Sequence, residues 1–142
     1  MDKNRSEVFG QFSYDESLTY EELLDVESTL IADLEALLLL LFVLGALAAT
    51  RAEKLLGRKD PGEVVIDELV GVWLVLLPFA TPGVWLVVAA FVFFRIFDIA
   101  KPWPVRASEN WLPDGFGVML DDVLAGLWAL LCVGVLHWVG LV

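Results

Sequence analysis

The chain has 142 residues, 58% of them hydrophobic and 20% charged, with a net charge of -11 and a mean hydropathy of +0.74. Soluble domains average roughly 45 to 50% apolar and about 25% charged residues, so the composition points away from an ordinary cytosolic domain and toward a membrane protein. Twenty acids against nine bases also argue against a nucleic-acid partner, because phosphate backbones repel such a chain.

Residues 1–35 form an acidic segment, with ten acids against Lys3 and Arg5. It lacks the basic start and immediate apolar core of a cleaved signal peptide, so it is expected to stay in the mature protein. Between Asp15 and Leu40, Leu23, Leu24, Ile31 and Leu34 recur at roughly helical spacing, which predicts an amphipathic helix in part of this stretch. A solvated acidic face accounts for the charges.

Four apolar runs follow: Ala36 to Ala49, Leu69 to Ala80, Val84 to Phe94 and Val123 to Val142. A full bilayer span takes about 20 apolar residues, and only the fourth run reaches that length unaided. Thr81-Pro82-Gly83 reads as a turn, and Pro102 as the end of the third helix near Lys101. The predicted architecture is all-α: a compact multi-helix membrane bundle with about four main hydrophobic helices, occupying residues 36–142. Short extra helices are expected within 15–35 and 104–117, and Val105 to Phe116 as a loop over the site. Threading the runs through a bilayer puts 51–68 and 95–122 on one face, together with seven of the nine cations, and that face is cytoplasmic by the positive-inside rule. Trp73, Trp85, Trp103, Trp111 and Trp138 sit near run ends, as interfacial anchors or core residues do. Cys132, the only cysteine, can build neither a disulfide nor a thiolate zinc site within one chain, and reads as a small packing residue.

The same face gathers the acids beyond the N-terminal segment. On a helix Glu63 and Asp67 share a face, Arg95, Asp98 and Lys101 form a second stripe, and Asp121-Asp122 is expected to open the fourth helix, where the dipole favours negative charge. Simple charge neutralisation at a helix end explains any one stripe. Asp67, Glu68, Asp98, Asp121 and Asp122 together leave a surplus of carboxylates, which calls for protonation or a cation. All-oxygen ligands suit Mg2+ before Ca2+. Arg95 and Lys101 beside such an ion are placed to hold a phosphate ester, and metal-assisted phosphoryl chemistry on a lipid head group is the reaction class suggested. His137 lies at the far end of the fourth run, away from the acids. Gly71 and Gly126 read as close-packing positions.

Three blocks carry a resemblance. They are Val65-Ile66-Asp67-Glu68-Leu69-Val70-Gly71, the stretch Phe94 to Pro104 with its R-x-x-D-x-x-K-P-x-P pattern, and Gly115 to Gly126 with G-x-G-x-M-x-D-D. In order and spacing they resemble the signature blocks of the phosphatidylglycerophosphatase A family, from about Arg51 to Trp138. The resemblance implies an all-helical enzyme of the prokaryotic inner membrane, multi-pass, that uses Mg2+ to cleave the terminal phosphate of phosphatidylglycerophosphate. Carried over by position, the motif acids and bases are Asp67, Glu68, Arg95, Asp98, Lys101, Asp121 and Asp122. All five acids are then candidate metal ligands. Asp67, Asp98, Asp121 and Asp122 are the catalytic carboxylates, with Arg95 and Lys101 on the substrate phosphate. The family's usual opening block, rich in Gly and Pro, has no counterpart, since no proline precedes Pro61. A noncatalytic family member acting as an assembly subunit is therefore the alternative. A small ion-translocating protein is disfavoured by the lack of acids between Leu69 and Phe94. A homo-oligomer stays open.

Overall fold

The computed structural model describes residues 19–142; the expectations for 1–18 lie outside the described residues. Every regular element among the described residues is helical: α1 Tyr20–Leu56, α2 Ile66–Leu76, α3 Val84–Ala100, α4 Val105–Ser108 and α5 Gly115–Trp138. The chain divides into two units, Met1–Ala32 and Asp33–Val142.

In the first unit the described residues are the start of α1. Thr19 and Glu22 cap it reciprocally: the Glu22 amide donates to Thr19 Oγ1 at 3.3 Å and the Thr19 amide to Glu22 Oε2 at 2.8 Å. This exchange satisfies two amides that have no partner within the helix. The amphipathic helix expected between Asp15 and Leu40 and the apolar run from Ala36 are thus one continuous 37-residue helix that opens at Tyr20. Glu21 and Glu22 in its first turn suit the helix dipole. The other end, in the second unit, closes on Gly57 at φ +66°, whose amide donates to Glu53 O at 2.9 Å.

The core of the second unit forms two clusters. Val75, Leu86, Ala90, Phe94, Ala125, Ala129 and Val133 fill the space among α2, α3 and α5, while Leu38, Ala46, Val70 and Met119 join α1, α2 and α5. Small residues on α5 allow the close approach. A Cβ on Gly126 would lie 2.7 Å from the Gly71 carbonyl oxygen, and one on Gly71 would lie 2.2 Å from the Phe94 ring. Each glycine stands one turn beyond an acid, Asp67 on α2 and Asp122 on α5, so the contact that seats the helices also sets these carboxylates beside each other. Gly126→Ala is expected to lower stability by about 1 to 3 kcal/mol through overpacking. Gly134→Ala, whose Cβ would meet nothing within 4 Å, should leave the melting temperature equal or higher. Thermal melts of the two variants in detergent check the contrast.

Two run-based boundaries shift. The apolar run to Ala80 outlasts α2, which stops at Leu76, because Pro78 and the Thr81-Pro82-Gly83 turn break the helix while Phe79 stays apolar to cover the core. Helix α5 begins at Gly115, so Asp121-Asp122 does not open it and lies in its second turn. The glycines explain the extension: a Cβ on Gly115 would come within 2.4 Å of the Ala46 oxygen, and one on Gly117 within 2.4 Å of the Glu109 oxygen. Only bare backbone fits there. The Gly115 amide also donates to Thr50 Oγ1 at 3.1 Å. By length and composition α1 and α5 can cross a bilayer, whereas α2, with 11 residues, spans about 17 Å.

Candidate active site

The first turn of α2, the last turn of α3, the segment through α4, and the second turn of α5 meet at one end of the second unit. Asp67, Asp121 and Asp122 are 5%, 2% and 5% exposed, burial that carboxylates rarely accept unpaired. Asp122 lies beside the carboxylates of Asp67, Asp98 and Asp121. Asp67 Oδ1 accepts from the Glu68 amide at 2.9 Å. Burial is the main force holding the Asp67 carboxyl up at about 6, and the neighbouring charges of Asp60 and Glu68 add to it.

Two cations hold the cluster together. Arg95 donates to Glu68 at 2.5 Å and to Asp98 at 2.9 Å. Lys101 donates to Asp121 Oδ2 at 2.6 Å and also to Glu109. The chain aims Lys101 by ending α3 in a left-handed residue: Lys101 has φ +43°, and its amide donates to Phe97 O at 2.9 Å. Burial alone would push the Lys101 ammonium down, but the hydrogen bonds and charges of Asp121 and Glu109 outweigh it and hold the group above its usual range. Glu109 is held below the ordinary range, chiefly by its hydrogen bond to Lys101.

Six of the seven positions named from the motifs therefore share one center through direct contact or adjacency, and Glu68 reaches it through Arg95. Glu63 does not share a face with Asp67. It precedes α2 and pairs with Arg58 at 2.5 Å, because the Pro61-Gly62 turn keeps that stretch out of the helix. His137 accompanies Val142 O at 2.8 Å and packs edge-on against Phe79, about 24 Å along α5 from Asp121. Sequence reasoning left three contributors out: Glu109, and Lys59 with Asn110, where Lys59 Nζ donates to Glu109 O at 3.0 Å and to Asn110 Oδ1 at 3.3 Å. The one signal for Glu109 was its place among the acids on the same predicted face as the motif residues. Together they line one wall of a 520 Å³ cavity between the end of α1 and the 109–114 segment.

Among the described residues, no three carboxylate, His or Cys side chains converge on one point as a closed metal site. The donor chemistry nonetheless suits a hard cation: Asp121 Oδ1 and Asp122 Oδ2 are buried and have no hydrogen-bond partner, and buried orphan oxygens of this kind call for a proton or a positive charge.

These features define an all-α protein whose buried aspartates and paired cations form a polar center at one end of apolar helices. The Phosphatidylglycerophosphatase A family model matches residues 19–137, and the chain belongs to that family. A relative from Bacteroides thetaiotaomicron named "Putative phosphatidylinositol-3-phosphatase" is 48% identical over 106 residues, covering 73% of this chain and 65% of its own. Proteins named Phosphatidylglycerophosphatase A from Haemophilus influenzae and Escherichia coli are 40% and 36% identical, over 70% and 68% of this chain and 61% and 55% of theirs. The chain thus spans about three fifths of the length of these curated relatives. No solved structure matches it.

Proposed function

We propose that the protein is a Mg2+-dependent lipid phosphatase that hydrolyses phosphatidylglycerophosphate to phosphatidylglycerol and phosphate in phospholipid biosynthesis. The observation that carries the reading is the pair of buried, unpartnered oxygens on Asp121 and Asp122, flanked by Lys101 on Asp121 and by Arg95 on Asp98. Family membership supplies the substrate class.

Two or three of Asp67, Asp98, Asp121 and Asp122 would hold the ion, with the remainder orienting ligands or accepting a proton; the ion would supply Lewis-acid polarisation of a phosphoryl oxygen. Arg95 and Lys101 bind the nonbridging oxygens of the monoester and neutralise charge as it spreads over them in the transition state. Water oxygen forms the new bond to phosphorus while the bond to the glycerol oxygen breaks; a carboxylate of the cluster takes the water proton, and that proton is passed on to the glycerol oxygen, which leaves as an alcohol.

The membrane reading rests on α1 and α5 and on large apolar side chains left exposed along three helices, among them Leu39, Leu47, Val84, Phe91, Leu131 and Val135. Such surface is costly in water and at rest against lipid. The reading places a multi-pass protein in the prokaryotic cytoplasmic membrane, with its polar center on the cytoplasmic side.

One relative favours a second head group, because the Bacteroides thetaiotaomicron protein is named for a phosphoinositide substrate. Both substrates are phosphate monoesters on a lipid, and the same Arg95 and Lys101 chemistry serves either. The deciding experiment measures phosphate release from phosphatidylglycerophosphate and from phosphatidylinositol 3-phosphate in detergent micelles, with Mg2+ and with chelator. Mg2+-dependent release favouring phosphatidylglycerophosphate by about tenfold or more in kcat/KM, about 1.4 kcal/mol of discrimination, is expected. The opposite preference moves the substrate to the phosphoinositide, and no release from either selects the noncatalytic alternative.

A further inference from the structure

The two cations of the center share one arrangement. Each bridges an inner carboxylate and an outer one. Lys101 lies between Asp121, whose side chain is 3% exposed, and Glu109, at 30%; Arg95 lies between Asp98, at 17%, and Glu68, at 39%. The inner partners face the buried aspartate cluster, and the outer partners face solvent, the direction from which a phosphate arrives. An ammonium has three donors, and in this state two are engaged by carboxylates. A phosphate dianion approaching Lys101 therefore meets Glu109 first, like charge against like charge.

We propose that Glu109 stands in for the substrate phosphate in the empty protein, occupying the outer face of Lys101 and yielding it when the phosphate binds. Glu109 thereby sets the affinity of the site. The inference rests on the reading of Arg95 and Lys101 as phosphate ligands. Two features suit Glu109 to this role. Its backbone is held independently, because Lys59 donates to the Glu109 carbonyl and Gly117 packs against the same oxygen, so the side chain can leave Lys101 without unseating the loop. Glu109 also lines the open 520 Å³ cavity beside the end of α1, which gives its side chain room to turn toward solvent when it leaves Lys101. Asp121 has neither freedom, being enclosed within α5.

When a side chain competes for the ligand's place, apparent affinity drops by the fraction of protein in which that place is free. A partly exposed ion pair of this kind holds the free fraction to about one fifth. The test is a titration of inorganic phosphate, followed by phosphorus NMR, into the full detergent-solubilised chain and its Glu109→Gln variant, both with Mg2+. Phosphate is expected to bind about fivefold more tightly to Glu109→Gln, and KM for the lipid substrate to fall in parallel while kcat moves less. Glu63→Gln, which removes a surface charge paired with Arg58, should leave phosphate affinity within about twofold, and the gain should vanish when Lys101→Met is added. Equal or weaker binding by Glu109→Gln overturns the inference, as does an equal gain from Glu63→Gln or a loss confined to kcat. If the chain binds phosphate but releases none from lipid, the phosphatase reading fails while the Glu109 contrast still decides this one. If neither protein binds phosphate, the inference fails whatever the hydrolysis result.

Discussion

Asp122→Asn is expected to cut Mg2+-dependent phosphate release by about a thousandfold, roughly 4 kcal/mol of transition-state stabilisation, without unfolding the protein. The shape of the side chain is kept, so packing against α2 is undisturbed. What changes is the capacity to ionise. Asp122 is 5% exposed, has an oxygen with no hydrogen-bond partner, and sits beside Asp67, Asp98 and Asp121. Four carboxylates at close quarters repel one another unless a proton or cation intervenes, and an amide at position 122 stays neutral and keeps a donor for Asp98 but cannot shed a proton to take up a cation. Stability in the absence of Mg2+ should therefore be equal or higher, and the melting temperature should lose most of its response to added Mg2+, since ligand binding stabilises the folded state only where it still occurs. Assay and thermal melt together make the test. Activity within tenfold of the intact chain would remove Asp122 from the reacting center, and a collapsed melting temperature would assign it to folding instead.

Much of this center was legible in the sequence because it is built from short-range patterns. The i, i+4 relation of Asp67 to Gly71 and of Asp122 to Gly126 encodes, in two local motifs, the seat that brings α2 against α5. The spacing of Arg95, Asp98 and Lys101, followed by Pro102, likewise encodes a helix end that turns its last cation back on the cluster. What escaped is what depends on partners far along the chain. Glu109 meets Lys101 across a loop, and Lys59 reaches Glu109 from fifty residues away; no periodicity announces either. Helix limits failed for a different reason. Hydropathy measures what a residue is buried against and not whether it is helical, so the continuity of α1 from its acidic start into the apolar run and the glycine-rich start of α5 were underread, while apolar turn residues after Leu76 were overread. The same limit applies to counting bilayer spans from run lengths, since α2 is helical over 11 residues only.

Lys101→Met is expected to damage both stability and activity, and the way to separate the two is to remove its partner as well. Lys101 is the hydrogen-bond partner of Asp121, which is 2% exposed and whose other oxygen has none. Taking the ammonium away strands a buried carboxylate, a change that costs about 3 to 5 kcal/mol where the charge stays uncompensated. Protonation of Asp121 offsets part of that cost, so the loss should be smaller at pH 5 than at pH 8, and Mg2+ should recover some of it at the higher pH. Release of phosphate should fall at least about a hundredfold, because Lys101 also neutralises the phosphoryl oxygens. In the double variant Lys101→Met/Asp121→Asn the stranded charge is gone, and stability should return to within about 1 kcal/mol of the intact chain. Activity should not return. Denaturant or thermal unfolding in detergent, run beside the release assay on all three variants, reads both quantities. Recovery of activity with stability would remove both Lys101 and Asp121 from the reacting center; failure of stability to recover would show that the contacts of Lys101 with Glu109 and the α3 terminus matter more than the buried pair. Lys101→Arg makes the geometric point separately: a guanidinium keeps the charge but is too broad and planar to fill the place of a compact ammonium between Glu109 and Asp121, so it should restore more stability than activity.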